Sequence, residues 1–177
     1  MTGTLPLNTA AAIEMPAVNC NDVGSFFVSM SITPESQIKA IGGCLCGVVR
    51  YQIFGDLPGI VNCHCSKCRL FNGHVAAWAI IPVNDLKIVA DRGLKWFRSV
   101  TDETPNVHRG FCGECGSSLF WDPRGEDRIA VAASSLDEPT NVQTIGHAWV
   151  CEIGDYYQIN DDLPKYVKGW EKSERAR

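Results

Sequence analysis

Seven of the nine cysteines in this 177-residue chain fall into three tight clusters, and nothing else in the sequence constrains the fold as strongly. The clusters are Gly43-Cys44-Leu45-Cys46-Gly47, Cys63-His64-Cys65-Ser66-Lys67-Cys68-Arg69 and Phe111-Cys112-Gly113-Glu114-Cys115-Gly116. An odd total with Cys-x-Cys and Cys-x-x-Cys spacing points to metal ligation rather than to disulfides. Residues 1–38 carry no Lys or Arg, so a signal peptide or basic transit segment is not expected, and the chain reads as cytoplasmic. In a reducing compartment thiols stay free to bind metal.

Zinc takes thiolates at about 2.3 Å, and its structural sites close with four ligands. The third cluster is a knuckle, a tight turn offering two thiolates, with Gly116 able to take positive φ. The first is a shorter knuckle at a strand end. Paired, they assign one closed site to Cys44, Cys46, Cys112 and Cys115. That leaves Cys63, Cys65 and Cys68, three thiols within six residues, and three protein ligands with an open fourth place is the pattern of a catalytic zinc. Two plainer readings stand beside this one. His64 or His74 can fill the fourth place and make the site structural, although an extended segment points His64 away from its neighbours. Alternatively Cys63 and Cys65 are core thiols, since cysteine is often buried. The sequence leaves the occupancy of the second site open.

The isolated Cys151 and Cys20 are read as structural, Cys151 as a core residue ending an apolar run. His108 and His147 are read as strand histidines with satisfied hydrogen bonds. Trp78, Trp96, Trp121 and Trp149 fall in strand-like runs and are expected mostly in the core, one or two of them lining a pocket.

Short apolar runs bounded by Gly, Pro, Asn or Asp predict strands over 48–54, 75–81, 86–90, 94–97, 107–111, 118–121, 129–133 and 145–150. One helical turn is expected over 66–72, with Ser66 as its N-cap. The fold class is therefore mainly β, with short antiparallel sheets around zinc knuckles and little helix. Residues 1–36 read as an N-terminal extension with one possible strand at Phe26–Ile32, residues 37–170 as the zinc domain and residues 171–177 as a charged tail. The basic residues from Lys165 onward read as solvated charge.

The net charge of −4 and the absence of a basic stripe argue against a nucleic-acid partner. The sequence holds no apolar run long enough to span a membrane. Oligomeric state is not encoded in any visible signal.

The ordered segments Gly-Cys-Leu-Cys-Gly-Val-Val-Arg-Tyr, Cys-His-Cys-Ser-Lys-Cys-Arg and Arg-Gly-Phe-Cys-Gly-Glu-Cys-Gly-Ser-Ser-Leu-Phe-Trp resemble the glutathione-dependent formaldehyde-activating enzyme family, which also includes centromere protein V. The resemblance runs from about Lys39 to about Lys168. It implies several coiled sheets of the β-tent type, a structural zinc on Cys44, Cys46, Cys112 and Cys115, and a second zinc on Cys63, Cys65 and Cys68. It also implies a carbon–sulfur lyase activity, in which glutathione condenses with formaldehyde, so the expected partners are a small thiol and an aldehyde. Lys67 and Arg69 are the only visible cations beside the second cluster, and no proton donor is apparent among His64, Lys67 and His74. The rival class is a non-enzymatic zinc scaffold for a protein partner, with both metals structural.

Overall fold

The computed structural model describes residues 37–99 and 106–170, all within the unit Pro34–Arg177. The possible strand at Phe26–Ile32, Cys20 and the tail 171–177 lie outside the described residues. Among the described residues ten strands and one α-helix follow in chain order: β1 (Ala40–Gly43), β2 (Val49–Ile53), β3 (Ile60–Cys63), α1 (Ser66–Asn72), β4 (Ala76–Pro82), β5 (Leu86–Asp91), β6 (Leu94–Arg98), β7 (Val107–Cys112), β8 (Ser118–Pro123), β9 (Arg128–Ala132) and β10 (Thr144–Ala148). The mainly β expectation holds. The eight expected strands are all present, while β1 and β3, four residues each, are additions. Their sequences, AIGG and IVNC, are too short to show a period.

The strands form a three-stranded sheet in the order β1-β2-β5 and a seven-stranded sheet in the order β10-β3-β4-β9-β8-β7-β6. All pairs are antiparallel except β10 with β3, which is parallel. That exception follows from chain path: β10 follows β9, which lies on the other side of β4 from β3, so no tight turn joins β10 to β3 and forces reversal.

The large sheet is covered on both faces, and its two central strands read accordingly as nearly continuous apolar runs. Ala79 and Ile81 of β4 and Ile129 and Val131 of β9 point to one side. There they meet Val49, Tyr51 and Ile53 of the small sheet and Leu119 and Phe120 of β8 in the principal core. Tyr51 packs edge-on against Phe120 at 5.4 Å between centroids, and its hydroxyl bonds Ser135 Oγ at 2.7 Å. Gly42 has to be glycine, since a Cβ there would lie 2.3 Å from both Ser135 O and the Tyr51 hydroxyl.

On the opposite face the alternate residues Trp78, Ala130 and Ala132 form a second cluster with Cys63, Cys68 and Ala76. The register sets Cys63 opposite Ala76, Trp78 opposite Ala132, and Trp121 opposite both Ala130 and Arg109. One face of this sheet thus builds the core and the other builds a site. Among the described residues, no helix is long and apolar enough to cross a membrane.

Candidate metal centres and the cavity beside them

The first and third cysteine clusters meet beside the principal core. Cys44 follows β1, and its carbonyl closes a turn by accepting from Gly47 N at 3.0 Å, with Gly47 at φ 81°. Cys112 ends β7, and its carbonyl accepts from Gly116 N at 2.8 Å, with Gly116 at φ 76°. Both glycines occupy the left-handed region that turns a knuckle back on itself.

The four sulfurs of Cys44, Cys46, Cys112 and Cys115 lie within 4.8 Å of one another. Cys44 Sγ to Cys46 Sγ is 3.5 Å and Cys46 Sγ to Cys112 Sγ is 3.7 Å. Four sulfurs at the corners of a tetrahedron about 2.3 Å from a central zinc would be about 3.8 Å apart. The donor set and its spacing therefore fit zinc.

Ser117 ties the two knuckles together. Its hydroxyl accepts from Leu45 N at 3.0 Å and donates to Cys115 Sγ at 3.2 Å. That hydroxyl, followed by neighbouring backbone amides, draws the Cys115 thiol down to about 5. Sequence reading passed over Ser117, because a serine two residues beyond a knuckle is also an ordinary turn residue.

The second cluster comes from one continuous segment. Cys63 ends β3, Cys65 precedes α1 and Cys68 sits in its first turn; their sulfurs lie within 4.8 Å of one another. Among the described residues no fourth Cys, His, Asp or Glu joins them. The helix N-cap is Cys65 rather than Ser66: its Sγ accepts from Cys68 N at 3.3 Å, placing a ligand sulfur where a serine oxygen usually sits. Ser66 instead donates its amide and hydroxyl to the Glu152 carboxylate, both at 2.8 Å.

The three thiols share charge unequally. Hydrogen bonds from Cys63 and Cys68 draw Cys65 down to about 2, and Cys63 is pushed up because Cys65 and Cys68 hold it protonated. A divalent cation that takes all three as thiolates displaces the remaining protons.

His64 points away from the sulfurs, as an extended segment requires. It lies in a hydrogen-bonded chain that pairs two buried histidines with a half-buried tyrosine and an exposed aspartate: His147 Nε2 bonds the Asp161 carboxylate at 3.0 Å, His147 Nδ1 meets His64 Nε2 at 2.9 Å, and His64 Nδ1 meets the Tyr157 hydroxyl at 2.7 Å. A carboxylate only accepts, so His147 Nε2 carries a proton. His147 Nδ1 then accepts from His64 Nε2–H, and His64 Nδ1 accepts from the tyrosine. Burial, then the neighbouring His147, pushes His64 down to about 4. The chain anchors the backbone between Cys63 and Cys65, helped by His64 N donating to Ala148 O at 2.9 Å. His74 contacts Tyr156 at 3.4 Å, and His108 Nδ1 lies 3.1 Å from Asn106 O, so neither histidine belongs to a sulfur cluster.

Beside the three thiols opens a cavity of about 290 Å³. Trp78, Trp121, Trp149 and Trp170 all line it, which revises the expectation that most tryptophans are core. Of the four tryptophans expected in strands, Trp96 stays outside the cavity and stacks on Phe120 at 5.8 Å. Trp149 enters through a backbone break. It sits at φ 60°, a conformation that costs a bulky residue energy, and it ends β10 at Ala148. Alternation stops there, so the 3-10 turn that follows carries Cys151 to the surface instead of into the core. Residues 164–168 are tied to β10 and the turn after it through their backbone, while the Lys165 and Lys168 side chains stay exposed: His147 N bonds Pro164 O, Tyr166 N bonds His147 O and Trp149 N bonds Lys168 O, at 2.8 to 2.9 Å.

The cation beside the sulfurs is Arg109 of β7. It is 3% exposed and its Nη1 lies 3.9 Å from Cys68 Sγ. Its guanidinium also lies 5.6 Å from the Phe71 ring centroid. Lys67 lines the cavity, whereas Arg69 turns away and donates to His64 O at 3.1 Å. Arg109 was visible in the sequence only as a neighbour of Cys112. It points to the other cluster because β7 alternates and delivers Arg109 and Cys112 to opposite faces.

The model of the glutathione-dependent formaldehyde-activating enzyme family matches residues 39–152. The chain belongs to that family. Among solved structures, a Rhodobacter sphaeroides protein is similar at 22% identity, covering 61% of this chain and 99% of that one, with a TM-score of 0.49.

Proposed function

We propose that this family member is a zinc-dependent carbon–sulfur lyase-like enzyme joining a glutathione-type thiol to a small aldehyde at Cys63, Cys65 and Cys68, with Cys44, Cys46, Cys112 and Cys115 holding a second, structural zinc. The observation that carries the reading is the contrast in closure. Four sulfurs surround one centre at the margin of the core, while three sulfurs face a cavity with no further protein ligand among the described residues. Zinc bound by three thiolates would supply a fourth place for an incoming thiol and favour its ionised form.

The chain's own groups supply the rest. Three thiolates around a divalent ion carry a net charge of −1, and the buried Arg109 guanidinium 3.9 Å from Cys68 Sγ offsets it. The cavity walls orient the aldehyde carbon against the thiol sulfur. The S–C bond forms as the carbonyl π bond breaks, and the proton released by the thiol ends on the carbonyl oxygen, giving a hydroxyalkyl thioether. No electron is gained or lost. The developing oxyanion faces a cavity lined by Arg109 and Lys67, both cationic donors.

Exchange spectroscopy on glutathione and formaldehyde at equilibrium tests this reading. Protein carrying two zinc ions per chain is expected to accelerate interconversion with S-hydroxymethylglutathione in proportion to its concentration. An unchanged exchange rate with fully loaded protein contradicts it and favours the scaffold reading.

A further inference from the structure

The proton that passes from thiol to carbonyl oxygen needs a carrier, and the cavity walls narrow the choice. A carrier has to come within hydrogen-bond reach of the reacting atoms. Arginine, lysine and tryptophan side chains offer donors and no acceptor. Apart from the three thiols, Glu152 is therefore the one side chain able to take up a proton among the described residues that line the cavity. None of the chain's four histidines lines it, and His64 and His147 are engaged in the hydrogen-bonded chain that ends at Asp161.

The fold places and holds this carboxylate. Glu152 is half-buried and closes the 3-10 turn Val150–Glu152, its amide donating to Trp149 O at 3.1 Å. The left-handed backbone at Trp149 starts that turn, so one strained residue brings both the Trp149 ring and Glu152 to the cavity. Ser66 N and Ser66 Oγ both donate to Oε2, at 2.8 Å each, and Oε1 receives no hydrogen bond from any described residue. One oxygen is fixed and the other is uncommitted. The distance also suits the chemistry. Ser66 N is joined to Cys65, which keeps it within about 5 Å of Cys65 Sγ. Oε2, 2.8 Å from that nitrogen, therefore lies within about 8 Å of the sulfur. A substrate sulfur sharing a zinc with Cys65 sits about 3.8 Å from Cys65 Sγ. The S–C–O span adds about 2.7 Å and a hydrogen bond about 2.7 Å, so a partner of the adduct oxygen can stand about 9 Å from Cys65 Sγ.

We propose that Glu152 is the acid–base residue of the exchange between thiol and aldehyde, its Oε1 carrying the proton from the thiol sulfur to the carbonyl oxygen. This rests on reading Cys63, Cys65 and Cys68 as the thiol-receiving zinc site. In the joining direction Oε1 takes the S–H proton as the thiol enters. The sulfur lone pair forms the S–C bond while the carbonyl π pair moves to oxygen, and Oε1–H returns the proton there. In the reverse direction Oε1 takes the hydroxyl proton, the C–S pair returns to sulfur, and the proton leaves with the thiol. The carboxylate ends each cycle as it began.

Exchange spectroscopy on glutathione and formaldehyde, run beside calorimetric titration with glutathione alone, tests the assignment on zinc-loaded protein. Glu152→Gln keeps an oxygen for Ser66 and replaces the other with an amide nitrogen that cannot take a proton. It is expected to lower the protein-dependent exchange rate about 100-fold or more, with both zinc ions kept and glutathione affinity within twofold of the parent. An exchange rate within threefold of the parent overturns the proposal and leaves the sulfur site standing. A loss of rate matched by an equal loss of glutathione affinity also overturns it, because Glu152 is then a binding group. Glu152→Asp serves where the glutamine variant loses zinc or fails to fold. Its carboxylate is shorter by one methylene, and the rate is expected to fall at least about tenfold; a fall of threefold or less overturns the proposal. Zinc loss from both variants overturns it too, since Glu152 then supports the metal site. A parent that neither binds glutathione nor accelerates exchange removes the sulfur site and this role together.

Discussion

The two faces of the large sheet treat cysteine in opposite ways. On one face Cys44 and Cys112 are part of the principal core, packed with Tyr51, Leu119 and Phe120, and the four-sulfur cluster joins segments 66 residues apart in sequence. On the other, Cys63, Cys65 and Cys68 come from one short segment whose shape is already set by β3, the α1 cap and the His64–His147–Asp161 chain. A metal that closes a long loop holds the fold, since it removes chain entropy from the unfolded state. A metal bound to a preformed segment beside a cavity is free to exchange its fourth ligand. The difference lies in where the sulfurs come from along the chain more than in their number.

The comparison breaks most visibly at Cys112. Cys112→Ser is expected to lose one zinc and to unfold the domain, because a structural zinc contributes about 10 kcal/mol or more, comparable with the whole stability of about 5 to 15 kcal/mol for a domain. Zinc stoichiometry and circular dichroism melting check this; one zinc fewer with an unchanged melting temperature would refute it. Cys65→Ser is expected to abolish thiol binding while shifting stability by about 1 kcal/mol or less, since a serine oxygen can still cap α1. A collapse in melting temperature comparable with that of Cys112→Ser would show that the second metal is structural too.

A finer test separates the two centres by charge. Arg109→Gln removes the guanidinium beside Cys68 and is expected to weaken zinc at the three-sulfur site about 10- to 100-fold, with the four-sulfur site unchanged. Chelator competition followed by counting the zinc retained measures both, and Arg109→Lys should restore part of the loss. The smallest effect belongs to Arg50 and Asp137, a bidentate pair between β2 and the turn after β9, with Nη1 to Oδ1 at 3.1 Å. The Arg50 guanidinium holds the Asp137 carboxyl below its ordinary value. A depressed carboxylate stabilises the fold above its unfolded value near pH 4, and the contribution fades as pH falls through the folded value. Both partners are more than a third exposed, so Asp137→Asn is expected to cost about 0.5 kcal/mol at pH 7 and nothing near pH 2, by urea melts at each pH.

Much of this was legible in the sequence, for definite reasons. Cysteine spacing specified which thiols come together, and short apolar runs bounded by Gly, Pro, Asn or Asp marked strands such as those over 48–54 and 107–111. Ser66–Asn72 was visible as a helix, but its cap was misplaced by one residue because a thiol is a rarer cap than a hydroxyl. The cavity was less visible. Its walls are Trp78 and Trp121, brought to the same face by register across β9, and Trp149, turned inward by a left-handed backbone that no local pattern announces. Trp170 and Arg109 reach the cavity from chain segments remote from Cys63, where sequence distance conceals proximity. Cys151 misled because it was read as the end of the apolar run, which Trp149 breaks with its left-handed backbone.

Zinc-edge X-ray absorption on the doubly loaded protein, with and without excess glutathione, tests the central distinction most directly. One closed and one open centre give an average of 3.5 protein sulfurs per zinc, from four and three cysteines. The account predicts a rise to 4.0 when the thiol enters the three-cysteine centre. An average that stays at 3.5 with saturating thiol, with a nitrogen or oxygen from the protein bound as the fourth ligand of the second zinc, would contradict it.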